Sequence, residues 1–348
     1  MRYPSFLNKG DLIGISAPSA GVGHKLESFD NSLAILRKEG YRIRETASVR
    51  LDSDRGGSAI ERGEELNTLF KDPEVKMVMA AAGGDFLDEM LPYTDFGLMR
   101  EHPKWLMGAS DPTGLLFPYT TLCDVATLYG SNAGSYDLLW DAEIHFLKEN
   151  LAILRGQLPV QEASKKHLGV PPFAAEKIVY DTPTVWESPL AEFSAKGRCI
   201  GGCIDVLKDL IGTPYDGANV FVDRYGPADG IIWYFDNFAL SAEVLYRTLL
   251  QMRFSGWFRF AKAVIIGRTL FPKSESGMSY REAAERALGK WESREASGEA
   301  GERLSCGAIP WITEADIGHT LPHMTMINGA MLELHYHEGG GSLKFSLT

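Results

Sequence analysis

Three residue types that together perform acyl transfer occur in chain order: Ser110, Asp236 and His319. A serine hydroxyl can attack a carbonyl carbon, an imidazole can take and return its proton near neutral pH, and a carboxylate can hold that imidazole in one tautomer. Ser110 closes the run Gly108-Ala109-Ser110. Before it, Trp105-Leu106-Met107 reads as the end of a buried strand. After it, Asp111-Pro112-Thr113-Gly114-Leu115-Leu116 reads as the first turn of a helix. A hydroxyl at such a junction lies beside the free N–H groups and positive end of the helix, which favour an oxyanion. Asp236 ends the apolar run Ile231–Phe235, and His319 follows Gly318. Each residue also has a plainer role. Ser110 can cap a helix, His319 can be a loop histidine, and Asp236 can be an exposed strand-end acid. Gly83-Gly84 can be an ordinary turn, and it lacks the Lys-Ser/Thr of a phosphate loop. His335 and His337 lie two apart on a strand-like segment and share a face, but no third ligand is in view, so no metal is expected. Trp186 either stacks on a substrate ring or covers a domain junction.

The elements that must position these residues alternate through the first half. Asp11–Ala17 is a buried-strand pattern ended by Pro18, and His24 to Lys38 is a helix stopped by Gly40. Tyr41–Arg44 is a strand, Ala59 to Phe70 a helix, and Val75–Ala81 a buried strand. Such alternation implies a mostly parallel sheet with helices on both faces, whose ligands bind beyond the carboxyl ends of the strands. Gly83-Gly84 follows one strand end and Ser110 the next, so both can face one crevice. From about Asn150 to Ser194, Pro159, Pro171, Pro172, Pro183 and Pro189 break the pattern. The second half resumes with Gly201-Gly202 before a helical Cys203 to Leu210. Ile231–Phe235 is a strand, Ser241 to Met252 a helix, Ala263–Ile266 a strand and Tyr280 to Ala287 a helix. Trp291 to Leu304 reads as a charged surface excursion, and Met331 to His337 and Leu343 to Ser346 as closing strands.

At 348 residues the chain exceeds the size at which one core keeps growing, so two domains are expected. The expected division is an α/β domain over residues 1–165, a linker and loop over 166–195, and a second domain over 196–348. A net charge of −11 with no Lys/Arg run argues against nucleic acid as a partner. The N-terminus lacks the apolar core of a signal peptide, and no apolar run is long enough to cross a bilayer, so no membrane partner is expected. Cys123, Cys199, Cys203 and Cys306 make no disulfide framework and read as reduced structural thiols, consistent with a cytoplasmic protein.

One family unites these pieces. Gly83-Gly84, Leu91-Pro92-Tyr93-Thr94-Asp95 and Pro103-Lys104-Trp105-Leu106-Met107-Gly108-Ala109-Ser110-Asp111-Pro112-Thr113 resemble the LD-carboxypeptidase family, which includes the microcin C immunity proteins. The resemblance continues through Thr127-Leu128-Tyr129-Gly130, Gly201-Gly202-Cys203, Trp233-Tyr234-Phe235-Asp236 and Asp316-Ile317-Gly318-His319 with Pro322 behind it. It runs colinearly from Gly10-Asp11 to Gly329, and the glycine pair looks more like the immunity branch.

The resemblance implies a flavodoxin-like parallel-sheet N-terminal domain, a C-terminal α/β domain of mixed sheet, and a homodimer. It implies Ser110 as nucleophile, His319 as base and Asp236 as orienting acid. It also implies an oxyanion hole from the backbone N–H groups of Asp111 and Gly84, with Gly83 and Trp186 near a small peptide-like substrate. No metal or organic cofactor is needed. Asp236 stands where the family normally has glutamate, and Ser131 where a proline is usual. Those departures admit an alternative, a non-catalytic ligand-binding protein with a decayed triad. Were Asp236 not the orienting acid, Glu243 or Asp316 would be the carboxylates to consider.

Overall fold

A computed structural model describes residues 1–137, 145–290 and 307–348. The charged stretch 291–304 and Cys306 lie outside the described residues. The chain divides into two compact units, one of Met1–Pro159 with Met324–Gly329 and one of Val160–His323 with Ala330–Thr348.

In the first unit, β1 (Leu12–Ser16), α1 (Leu26–Lys38), β2 (Arg42–Glu45), α2 (Ala59–Lys71), β3 (Val75–Ala80), α3 (Phe96–Glu101), β4 (Trp105–Gly108), α4 (Thr113–Cys123), β5 (Thr127–Tyr129) and α5 (His145–Leu154) follow one another. The parallel strands lie in the order β2-β1-β3-β4-β5. That is a flavodoxin-like order, with its switch point between β1 and β3. Central strands must be apolar on both faces because helices cover both. Accordingly all five residues of β1 and all four of β4 are buried, whereas the edge strand β2 alternates between exposed and half-buried positions. Trp105 anchors β4 by stacking on Phe6 at 4.9 Å between ring centroids. Helix α2 starts at a capping box, with Ser58 accepting from the Glu61 N–H and Glu61 accepting from the Ser58 N–H.

The second unit contains β6 (Gln161–Glu162), β7 (Lys166–His167), β8 (Thr182–Pro183), β9 (Glu192–Cys203), α6 (Ile204–Leu210), α7 (Ala218–Asp229), β10 (Ile231–Asp236), α8 (Ala242–Phe254), β11 (Ala261–Gly267), α9 (Tyr280–Leu288) and β12 (Trp311–Ala315). Beyond β13 (Met326–Asn328) come β14 (Met331–His337) and β15 (Gly340–Ser346). Its main sheet has the order β12-β11-β10-β9-β14-β15-β6. The long β9 joins two regimes. Its Arg198–Cys203 half pairs in parallel with β10, and its Glu192–Arg198 half pairs antiparallel with β14. The sheet is therefore mixed. Every residue of β10 is buried, and Trp233 stacks on Trp257 at 5.1 Å beneath it.

Two features of the organisation differ from the sequence-based division. Residues 166–195 are part of the second unit: β7 pairs with β8, and the Trp186 and Glu187 N–H groups donate to Gly339 and Thr313 carbonyls at 3.2 and 3.1 Å. Proline removes periodicity here, but the backbone still finds partners in the folded sheet. Second, β13 returns to the first unit, where it pairs antiparallel with β5. Among the described residues no helix is long and apolar enough to cross a membrane.

Candidate functional site

In the first unit the candidate residues gather at the carboxyl ends of β1, β3 and β4. Ser110 is the last residue before the α4 turn, and its φ of 69° is left-handed. A non-glycine residue there costs energy and is a mark of functional turns, the strand-to-helix nucleophile turn among them. The conformation is held by short bonds. The Ser110 N–H donates to Tyr129 Oη at 3.1 Å, and the Ser110 carbonyl accepts from the Thr113 N–H at 2.9 Å. Asn132 clamps the preceding residue, accepting from the Ala109 N–H at 3.0 Å and donating to its carbonyl at 3.3 Å.

Gly83 lies against this turn, where a Cβ would stand 2.9 Å from Ser110 Cβ and 3.1 Å from its Oγ. Gly84 has φ 152° and abuts Ser19. Among the described residues the N–H groups of Gly84 and Asp111 form no hydrogen bond. The Asp111 carboxylate, 5% exposed, accepts from Ser19 Oγ and from the Leu87 N–H, the latter at 3.0 Å. Burial pushes this carboxyl up to about 6, against the opposing pull of those two bonds.

In the second unit Asp236 ends β10 opposite Cys203 of β9 and is fully buried. His319 Nδ1 lies 2.7 Å from Asp236 Oδ2, hydrogen-bonding distance. Gly318 makes that approach possible. Its φ is 100°, and a Cβ there would overlap the Asp236 carboxylate. A neutral ring that carries its proton on Nδ1, toward the acid, presents Nε2 as its basic nitrogen. Burial is the largest single influence on the imidazole and lowers its pKa. The charge and hydrogen bond of Asp236, joined by the charge of Asp205, outweigh it, so the net shift is upward. Phe238 packs on the ring at 4.5 Å between centroids. Asp205 fixes that phenylalanine by accepting from the Phe238 and Ala239 N–H groups at 2.9 and 3.0 Å.

The other candidates fall elsewhere. Trp186 is 1% exposed, and its Nε1 donates to Asp316 at 3.1 Å. It is a core residue of the second unit, and its buried ring, packed beside Gly341, presents no open face. Asp316 also accepts from Ser164 N and Oγ at 2.8 and 2.7 Å and pairs with Arg268. Glu243 accepts from Ser274, Glu275 and Ser276, and those bonds hold its carboxyl far below the usual range. Neither acid is the partner of His319. His335 bonds Ser194 at 2.8 Å, and among the described residues no group of three or more His, Cys, Asp or Glu could hold a metal ion. Cys123, Cys199 and Cys203 are buried free thiols.

Sequence reasoning passed over Ser19, Arg62, Asn132, Tyr129 Oη and Asp205. Ser19 could have been found as the residue after a third strand end at the switch point. The others act through backbone partners distant in sequence, which no local pattern announces.

The first α/β unit carries a left-handed serine turn, and the second carries a buried acid beside an imidazole. Known proteins carry the identification further. The family description "LD-carboxypeptidase N-terminal domain" matches residues 13–130, and "LD-carboxypeptidase C-terminal domain" matches residues 196–334. The chain belongs to the LD-carboxypeptidase family. It is 29% identical over 290 residues to a Vibrio cholerae protein named as a carboxypeptidase, covering 80% of this chain and 83% of that one. It is 31% identical over 219 residues to a Bacillus subtilis protein named as a murein peptide carboxypeptidase, covering 61% and 60%. A solved structure of an MccF-like protein from Bacillus anthracis shares the fold over 100% of both chains, with TM-score 0.78 at 21% identity. So does the microcin C7 self-immunity protein MccF in complex with aspartyl sulfamoyl adenosine, with TM-score 0.75 at 21% identity over 100% of both chains.

Proposed function

We propose that this chain is a serine peptidase that cleaves an amide near the C-terminus of a small peptide-like substrate through an acyl-enzyme on Ser110. Ser110 Oγ attacks the carbonyl carbon and passes its proton to His319 Nε2. The N–H groups of Gly84 and Asp111 take the developing oxyanion. The C–N bond then breaks, and the leaving amine collects the proton from His319. Water, deprotonated by the same nitrogen, releases the acid and restores Ser110. Asp236 holds the tautomer and stabilises the imidazolium.

The observation that carries this reading is the 2.7 Å approach of His319 Nδ1 to a fully buried Asp236. It speaks against a decayed site. Gly318 packs directly onto the acid, which leaves His319 within reach of the shorter side chain.

Two substrate classes follow from the relatives: a murein tetrapeptide losing its terminal D-alanine, and a peptidyl or aminoacyl sulfamoyl-adenylate. One observation favours the second. Phe238, Phe271 and Phe173 form a row of rings at 5.3 and 5.8 Å spacing that starts at His319, and Phe173 is 74% exposed. Such a row suits a planar group on the substrate. The deciding experiment is a panel of muropeptide and adenylate conjugates followed by mass spectrometry. Cleavage of neither, with no labelling of Ser110 by a fluorophosphonate, would leave the ligand-binding alternative. The proposal takes the protein to be a cytoplasmic homodimer needing no metal or organic cofactor. Sedimentation and activity in the presence of a chelator test the last two points.

A further inference from the structure

Three loops of the first unit meet around Ser110: residues 17–21 after β1, residues 81–87 after β3, and its own turn, residues 109–112 after β4. One buried acid and one buried base stitch the first two together. Asp111 Oδ2 accepts from Ser19 Oγ and from the Leu87 N–H. Arg62 of α2, fully buried, donates from Nη1 to the Pro18 carbonyl at 2.7 Å and the Phe86 carbonyl at 3.0 Å, while its Nη2 lies 3.3 Å from Glu89. The bonded residues are neighbours in pairs, Pro18 with Ser19 and Phe86 with Leu87. Between these clamps and β3 runs Gly83-Gly84, with the Gly83 carbonyl accepting from the Ala20 N–H at 3.1 Å.

We propose that the Asp111 carboxylate and the Arg62 guanidinium are positioning residues that set the Gly84 N–H where the tetrahedral oxyanion forms. The inference rests on Ser110 being the nucleophile. Asp111 thus serves twice, its N–H as a donor and its carboxylate as the brace that aims the other donor.

Burial works against the ionised form of Asp111. The groups facing it are Ser19, the Leu87 N–H, Arg62, Asp85 and Asp88, and burial raises its carboxyl to about 6. A raised carboxyl pKa means that folding favours the neutral form. That contribution to stability is complete below the unfolded value, about 3.9, and is lost as pH rises through about 6. At neutral pH the fold carries this ionised acid at a cost. The positioning role therefore predicts that stability and rate move in opposite directions when the charge is removed.

The test uses the full chain and a fluorophosphonate probe. Labelling rates at Ser110 are measured from acid to mildly alkaline pH, with thermal melts beside them, for the parent, Asp111→Asn and Ser19→Ala. Asp111→Asn is expected to melt at or above the parent temperature at neutral pH and to label about 100-fold more slowly, the scale of a 1 Å misplacement. Its profile should lack the ionisation near 6 that is expected of the parent. Ser19→Ala should keep that ionisation and lose less rate. Labelling of Asp111→Asn at the parent rate overturns the positioning role alone. So does a lowered melting temperature with an unchanged pH profile. A parent that fails to label at Ser110 overturns the peptidase reading and this role with it.

Discussion

At Ser110 the tests of chemistry and of folding separate cleanly. Ser110→Ala keeps a left-handed residue at φ 69° and so inherits the same backbone cost, while the attacking oxygen is gone. Turnover should fall by several orders of magnitude, whereas loss of a helix-capping serine would cost only about 1 kcal/mol and leave rate intact. Steady-state kinetics beside a melting curve check this, and near-parent turnover would remove Ser110 from the mechanism. Asp236→Asn should favour the wrong imidazole tautomer and lower kcat by about 10⁴-fold. Asp236→Glu should be nearly as harsh, because the site is fully buried and Gly318 packs against the carboxylate, leaving no room for a methylene. Equal kcat for aspartate and asparagine would take Asp236 out of the site. His319 must be neutral to accept a proton, and its pKa lies above that of an ordinary histidine. Activity should therefore rise with pH through an apparent pKa above about 6.5. The stability linkage runs the other way: the protonated pair stabilises the fold at acid pH, and that contribution is lost as pH rises through the folded value. A flat rate profile from acid to neutral pH, with an active His319→Gln variant, would exclude this assignment.

Positioning by whole elements explains which parts of the site were legible. Central strands of a parallel sheet must be continuously apolar, so β1, β3, β4, β10 and β11 stand out in the sequence, and the residues at their carboxyl ends follow directly. Ser110 after β4, Gly83-Gly84 after β3 and Asp236 at the end of β10 were therefore legible as strand-end residues, and the family resemblance made them, with His319, candidates for the site. Trp186 was not readable in the same way. An indole in a proline-broken stretch gives no hint that its N–H will meet Asp316, which lies 130 residues away in sequence. The brace of Asp111 and Arg62 was hidden for the same reason, since its partners are backbone groups of loops. Loop glycines are the element-scale test. Gly318→Ala meets both a φ of 100° and the Asp236 carboxylate, so it should destabilise the second unit by about 1–3 kcal/mol and abolish turnover. Gly83→Ala violates no left-handed φ and collides with Ser110 alone, so it should cost less stability than Gly318→Ala while losing most activity. Urea melts and kinetics on the two variants distinguish them, and an active Gly318→Ala would show that the close Gly318–Asp236 packing is dispensable.

For the molecule as a whole, two cores were foreseeable from a length of 348 residues, but the path of the chain between them was not. Met324–Gly329 belongs with Met1–Pro159. Its strand β13 is only three residues long, Met326–Asn328, and so short an apolar run beside a histidine-bearing loop carries no periodicity to detect. Yet it closes the edge of the first sheet by pairing with all three residues of β5, and Asn328 Nδ2 donates to Thr127 Oγ1 at 3.1 Å. Sheet edges left unpaired recruit other chains. A fragment of residues 1–159 should therefore fold poorly and self-associate, although it contains all five parallel strands and the Ser110 turn. Appending residues 322–330 through a flexible glycine-rich linker should restore a monodisperse species, because the loop-closure cost of a short linker is only a few RT. The comparison is made by size-exclusion chromatography and urea unfolding of the two fragments. If the bare fragment is already monodisperse and as stable as the appended one, β13 is an ornament of the first unit. If the appended fragment alone is well behaved, the residues that follow His319 are an integral strand of the unit that holds Ser110. No single cut of this chain would then yield two complete units.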